Sequence, residues 1–315
     1  MTEGVFQMKI FYSLEEIGEI ESTAVALGNF DGIHKGHQVL IREAVRLAEK
    51  NGLKSAVFTF SNHPKNVLAG SCVVQNLIYP DEKVRLLEEA GIDYMFSIDF
   101  NDEIMHSSPE AFVDEILIRR FRMKAAVCGF NFTYGFKAAG TAESLRAYAA
   151  DRGMEVSVID PVRVGGEVVS STLIRELIGK GEMDRVSLLM GRQYMVRGEI
   201  VHGNQIGSTV LGFPTCNVVL DPNMVAPKRG AYVTRSVIGG VEYPSMTNVG
   251  RKPTIGEYQT NVETHIFDFN QDVYGEQIEV YFLSMIRPEE KFSGLDALKT
   301  QLGKDCAFAR ARHAI

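Results

Sequence analysis

Two histidines three residues apart, His34 and His37, stand in GNFDGIHKGH with Gly28, Gly32 and Gly36 around them, a set of residue types suited to holding a phosphate. Glycine lets main chain approach an anion closely, and free N–H groups at the start of a helix favour negative charge. Imidazoles at that entrance add directed donors, and residues three apart there can address one site. Asn29 and Phe30 lie in the same turn and join the candidate nucleotide-binding set. A bare HxGH is more simply read as a capped turn. A β-rich run before it and a helical window after it favour the phosphate reading.

A second group falls in VHGNQIGSTVLGFPTCN, where Gly203, Gly207 and Gly212 precede Pro214, Thr215 and Asn217. It lacks the GK[ST] ending of a Walker loop, so a phosphate cradle built on those glycines must take another form. Thr215 and Asn217 are two apart, and on an extended segment such residues face the same way, offering two hard oxygens to one Mg2+. Pro, Thr and Asn are also ordinary turn residues, and the residues alone leave both readings open.

The elements that must position these groups follow two different periods. From Thr23 to Gly181 short β-rich runs alternate with amphipathic windows: TAVALGNF, then HQVLIREAVRLAEKNG, KSAVFTF, PDEKVRLLEEAG, YMFSIDF, SSPEAFVDEILIRRF, KAAVCGF, TAESLRAYAADRG and MEVSVI. Such βα order predicts a mostly parallel sheet covered by helices on both faces. In the first helix Val39, Leu40, Ala44, Leu47 and Ala48 share a face and Gly52 suits its end; Ser108 and Pro109 suit the start of a later one. Beyond Gly191 the pieces YMVRGEIVHG, TCNVVL, GAYVTRSVIGG, VEYPSMTNVG, VETHIFDFN and EQIEVYFL are strand-like, with no helix between them. So many short strands expose edges unless the sheet curls on itself, which predicts a small antiparallel barrel. Near the end SGLDALKTQLGKD predicts a helix packed on the barrel through Leu295, Leu298 and Leu302. The domain boundary is expected between 185 and 186, giving units 1–185 and 186–315.

Composition narrows the function classes. With 315 residues, 45% of them apolar, the chain is long enough for two packed cores. Its 33 basic and 40 acidic residues, a net charge of −7, give no broad attraction to nucleic acid or an anionic membrane. The four cysteines, Cys72, Cys128, Cys216 and Cys306, are scattered without CxxC spacing, against a disulfide framework or structural zinc. MTEGVFQMKIF has no export pattern, and a cytoplasmic location is expected.

GNFDGIHKGH, FSNHP, CGFNF and SSTLIR occur in the order seen in the adenylyltransferase module of prokaryotic bifunctional riboflavin kinase/FAD synthetases, and over roughly 20–182 the chain resembles that module. GFPTCN, NVGRKPTIG, VETHIFDF, DVYGEQIEVYF and IRPEEKF resemble the riboflavin kinase module over about 191–305. The resemblance implies a Rossmann-like α/β nucleotidyltransferase domain followed by a β-barrel kinase domain. It also implies that His34 and His37 bind ATP phosphates, that Asn131 sits by the nucleotide, and that Ser171, Thr172 and Arg175 hold the phosphate tail. Thr215 and Asn217 would coordinate Mg2+ with ATP, and Glu263 would take the proton from the ribityl 5′-hydroxyl. Two departures stand out: Thr133 replaces a frequent Arg, and GSTVLG carries Ser208 where the family has Arg, with one extra residue.

These roles imply two ATP-dependent steps, riboflavin to FMN and FMN to FAD. The first needs a base because a neutral alcohol is a poor nucleophile, whereas in the second the FMN phosphate is already ionised. Riboflavin, FMN and ATP are the expected ligands, with transient contact to apo-flavoproteins and no nucleic-acid or membrane partner. The alternative is a single-activity FMN adenylyltransferase whose barrel binds flavin without phosphorylating it. Two further rivals are a nucleotidyltransferase for another phosphorylated metabolite, since HxGH does not name the acceptor, and a non-enzymatic flavin carrier.

Overall fold

The computed structural model describes residues 7–202, 214–254 and 257–314. Gly203, Gly207, Gly212 and the Ser208 departure lie outside them. The chain forms two compact units, one of 1–74 and 78–170, the other of 75–77 and 171–315. Helices Ser171–Lys180 and Met183–Met190 thus group with the second unit, so the stretch expected to link the halves is itself helical. Within that unit Asn76 N donates to Asn223 O at 2.7 Å, which explains why 75–77 belong to it.

The first unit is built on six parallel strands: β1 Lys9–Phe11, β2 Thr23–Leu27, β3 Lys54–Phe60, β4 Tyr94–Ile98, β5 Met123–Gly129 and β6 Glu155–Ile159. Their order is β1-β4-β3-β2-β5-β6. Side chains alternate across each strand. Val25 and Leu27 of β2 therefore join Phe112, Leu117 and Leu145 on one face, while Ala24 and Ala26 join Leu40, Ala44, Leu47 and Leu87 on the other. Each fully buried Leu or Phe contributes about 1.5–3 kcal/mol, so the helices are held mainly by these contacts. Helix α1, Lys35–Asn51, buries Leu40, Ile41, Ala44, Leu47 and Ala48 and ends at Gly52 with φ 62°, in the left-handed region that suits glycine. Ser108 caps the helix at Pro109 by accepting from Ala111 N, but from Phe112 to Arg120 that helix is π-wound. The apolar spacing there serves either winding, so the sequence pattern does not separate them.

The second unit is a six-stranded antiparallel sheet, with β7 Tyr194–Glu199, β8 Cys216–Val219, β9 Gly230–Ile238, β10 Val241–Thr254, β11 Glu257–Ile266 and β12 Gln277–Pro288. The order is β7-β12-β9-β10-β11-β8, and a bridge between Val201 and Asn217 joins the two ends into a nearly closed barrel. The β9–β10 turn is made by Gly239 and Gly240 at φ 56° and 80°, the pair of left-handed residues a tight hairpin needs. Tyr232, Val249, Val262 and Phe282 are fully buried. Among the buried groups a chain of hydroxyls runs Ser236, Ser245, Thr234, Thr247, Thr264, each step 2.8–2.9 Å. Each of the three inner hydroxyls has two partners and can both donate and accept, which offsets the penalty of burying it.

The closing helix, Leu295–His313, corrects one expectation. Leu295 is 55% exposed, and it is Leu302, Cys306 and Ala309 that pack on the barrel with Val233, Met246 and Phe267. The helix runs beyond the predicted window, so its contact falls on later turns. There Arg287 pairs with the buried Asp305 at 2.8 Å.

Gly230 is a sharp test of barrel closure. It sits at φ 148°, and a Cβ there would lie 2.2 Å from Arg287 O. Gly230→Ala is expected to cost the second unit about 3 kcal/mol or more in urea denaturation. An unchanged midpoint would show that the β9–β12 register yields more easily than this.

Candidate functional site

In the first unit, β3 and β4 extend the sheet to one side of β2 while β5 and β6 extend it to the other. Strand direction of growth therefore reverses between β2 and β5, and the crevice beyond the carboxyl ends of strands at such a reversal is where open α/β sheets bind ligands. GNFDGIHKGH leaves β2 at that point, and Asn131, exposed, leaves β5 beside it in the sheet order.

The turn is tightly built. Gly28 N donates to Phe58 O at 3.2 Å, and Asn29 O accepts from Thr59 Oγ1 at 2.8 Å. Phe30 and Ile33 have φ of 46° and 36°, unusual for residues with side chains, and Gly32 has 85°. Such strained backbone is kept where the surrounding structure determines it, commonly at functional sites. His34 caps α1, its Nδ1 accepting from His37 N at 3.2 Å. The two rings stack with centroids 3.7 Å apart, and Phe30 lies 5.1 Å from the His37 ring. The cap bond engages Nδ1 of His34.

The flanking glycines have a reason the sequence did not disclose. A Cβ at Gly28 would sit 3.3 Å from the Phe30 ring, and one at Gly36 would sit 3.1 Å from the His34 ring. They admit the aromatic rings as well as leaving main chain open. His34 is buried and His37 half-buried.

Two residues at this turn, one within it and one reaching it from a helix, escaped sequence reasoning. Asp31 is 7% exposed, and Lys83 Nζ reaches Asn29 O at 3.4 Å from the helix Pro80–Glu89. Burial pulls the Lys83 ammonium below the ordinary lysine range, opposed by the Asp31 charge. The available signal was a lysine placed beside Val84 and Leu87 on the apolar side of its helix. His63, in FSNHP, is the N-cap of Pro64–Ala69, accepting from Lys65 N at 3.2 Å.

Ser171, Thr172 and Arg175 belong to the second unit by contact. Ser171 and Thr172 open the helix Ser171–Lys180, where N–H groups suit an anion, and Arg175 Nε donates to Gln75 O at 2.8 Å.

The other group lies on the barrel wall. Asn217 of β8 is the register partner of Glu263 of β11. Alternation along β11 sets Asn261, Glu263 and His265 on one face, away from the interior residues Val262 and Thr264. His265 Nδ1 lies 2.8 Å from Pro214 O, and burial holds its imidazole below the ordinary histidine range. Asn217 Nδ2 donates to Thr215 O at 3.2 Å. The Pro214–Asn217 segment is thus held against β11 at both ends, with Glu263, half-buried, opposite Asn217. Cys216, between the two candidate ligands, has its thiol pushed up to about 11 by burial and stays protonated near neutral pH. Gly203, Gly207 and Gly212 fall outside the described residues, so their expected phosphate contact has no geometry here.

Among the described residues no group of His, Cys, Asp and Glu could cage a resident metal ion. Magnesium carried on a nucleotide is bound by few protein oxygens together with phosphates. Thr215 and Asn217 supply neutral hard oxygens, as such binding requires. No described helix is long and apolar enough to cross a membrane.

A parallel sheet with an HxGH turn at its switch point, followed by a nearly closed barrel with a carboxylate in register with the Asn of a Thr/Asn pair, defines a two-module ATP-using transferase. A FAD synthetase family model matches 17–173 and a riboflavin kinase family model matches 190–313. The chain belongs to the bifunctional riboflavin kinase/FMN adenylyltransferase family. It is 34% identical over 310 residues to the Listeria monocytogenes protein of that name, covering 96% of this chain and 98% of the relative. It is 35% identical over 291 residues to the Bacillus subtilis one, covering 91% of each. A crystal structure from Streptococcus pneumoniae described as a macrolide-efflux protein superposes with a TM-score of 0.88 at 35% identity, covering 96% of this chain and 98% of that one.

Proposed function

We propose that the chain phosphorylates riboflavin with ATP to FMN on the barrel and adenylylates FMN with a second ATP to FAD on the α/β unit. The observation that carries the reading is Glu263 set in register against Asn217, beside Thr215, in a unit separate from the histidine turn. It also favours two activities over a barrel that only binds flavin. At the barrel Glu263 accepts the 5′-hydroxyl proton as the alcohol oxygen attacks the γ-phosphorus, and ADP leaves. Thr215 and Asn217 would hold Mg2+ on the nucleotide, whose charge when bound offsets that of the phosphates.

In the α/β unit an ionised FMN oxygen attacks the α-phosphorus of ATP, the α–β bond breaks and pyrophosphate leaves, with no base required. His34, His37 and the turn of Gly28, Asn29, Phe30, Gly32 and Gly36 hold the phosphates of ATP, Gly28 by leaving room and not by its N–H, which is spent on Phe58 O. Asn131 lies by the nucleotide in this reading. Cytoplasmic location and hand-over of product to apo-flavoproteins complete the reading.

ATP labelled at one phosphate at a time tests it. With riboflavin, Mg2+ and ATP, FMN is expected first and to carry only the γ label, and FAD later with both γ and α labels. Failure of riboflavin to become FMN, while supplied FMN still becomes FAD, would leave the single-activity alternative. Absence of α label from FAD would remove the adenylyl-transfer step.

A further inference from the structure

Asn is a residue type depleted in strands, yet Asn261 sits within β11 and is only 4% exposed. Its Nδ2 donates to Glu263 Oε1 at 2.8 Å and to Asn217 Oδ1 at 3.3 Å. Turning the amide over would set its oxygen against two other oxygens, so the partners determine its orientation. Among the described residues Oδ1 then has no hydrogen-bond partner, and it is buried. A buried acceptor left unmade is costly, and such a group in a folded protein calls for a reason. The described neighbours do not supply one: the hydroxyls of Thr247 and Thr264 bond each other on the opposite face of the wall. A bound molecule bearing an O–H would supply one.

We propose that Asn261 is a positioning residue of the kinase site: its amide nitrogen holds Glu263 against Asn217, and its buried carbonyl oxygen accepts a hydrogen bond from an O–H of the bound substrates. This rests on the kinase reading of the barrel. Two O–H groups fit that chemistry, the alcohol to be phosphorylated and a water on the nucleotide's cation. Holding Glu263 sets the direction in which it receives the proton. Bridging to Asn217 couples that direction to where the nucleotide is seated.

The full-length chain carrying Asn261→Ala and, separately, Asn261→Asp provides the test, with Asp keeping the acceptor and losing the donor. For Asn261→Ala the turnover of FMN formation is expected to fall about 10- to 100-fold. Adenylylation of supplied FMN is expected to stay at the parent level. Quenching of flavin fluorescence, read with Mg-ADP and no turnover, is expected to show a larger loss of riboflavin binding for Asn261→Ala than for Asn261→Asp, although both lose turnover. Binding of 5′-deoxyriboflavin and the half-saturating Mg2+ concentration separate the two O–H sources. If the alcohol is the donor, Asn261→Ala abolishes the preference for riboflavin over the deoxy compound; if the water is, it raises the Mg2+ requirement.

A folded Asn261→Ala protein with turnover and riboflavin affinity within about 2-fold of the parent would overturn the proposal. So would equal losses of affinity in both variants, which mark a merely structural amide. Should Asn261→Ala fail to fold, Asn261→Ser, which retains a donor and an acceptor, decides: a folded serine variant is expected to recover turnover, and one as inactive as Asn261→Asp overturns the proposal. Glu263→Gln run beside these separates the two levels. If it leaves FMN formation intact, the kinase reading fails; if it abolishes FMN formation while Asn261→Ala does not, only this inference fails.

Discussion

Glu263→Gln should lower phosphorylation of riboflavin about 100- to 10,000-fold, the range over which a positioned general base contributes. Glutamine matches glutamate in shape, and its carbonyl oxygen can still accept from Asn261 Nδ2, which reaches Glu263 Oε1 at 2.8 Å in the parent. Packing on β11 is therefore kept, and only the ability to take a proton is lost. Supplied FMN should still be converted to FAD at the parental rate, because the histidine turn belongs to the other unit. Chromatographic separation of FMN and FAD from the same reaction reads both steps. A variant within about 3-fold of the parent in FMN formation would mean that the alcohol loses its proton elsewhere.

His37→Ala should lower FAD formation about 100- to 1,000-fold, the usual cost of removing one donor aimed at developing charge on a leaving group. His37 is the better probe of the pair because His34 also caps α1, and losing a cap costs about 1 kcal/mol of stability on its own. Removing the His37 ring gives up its stack with His34, 3.7 Å between centroids, but spares the cap, whose donor is the His37 main-chain N–H. FMN made by the barrel should then accumulate. Steady-state assays with FMN and ATP measure the loss, and an unfolding curve matching the parent's assigns it to chemistry. Retained FAD formation in the folded variant would remove the imidazole from the reaction.

Much of the architecture is legible in the sequence because its two halves obey different periods. The α1 window has apolar residues at helical spacing closed by Gly52, and the barrel strands alternate with Gly239–Gly240 between two of them. Where the pattern is degenerate, the reading fails in understandable ways. Phe112–Arg120 is π-wound, since its apolar spacing fits both coils. The last helix packs through Leu302, Cys306 and Ala309 and not Leu295, because contact depends on where the helix crosses the barrel. At the sites, His34, His37, Thr215, Asn217 and Glu263 could be named from motif and resemblance. Asp31, Lys83 and Asn261 could not, because their positions become meaningful only when β11 meets β8 or a distant helix reaches the Asn29 carbonyl. The roles of Gly28 and Gly36 in admitting the Phe30 and His34 rings likewise depend on the folded turn.

The central claim is that a carboxylate on the barrel and imidazoles on the parallel sheet run separate reactions. The most direct measurement gives each of the two variants, Glu263→Gln and His37→Ala, first riboflavin and then FMN, and follows both products. The account predicts a crossed pattern, with Glu263→Gln making FAD only when FMN is supplied and His37→Ala turning riboflavin into FMN that goes no further. Equal impairment of both steps by both substitutions, in proteins that remain folded, would contradict it.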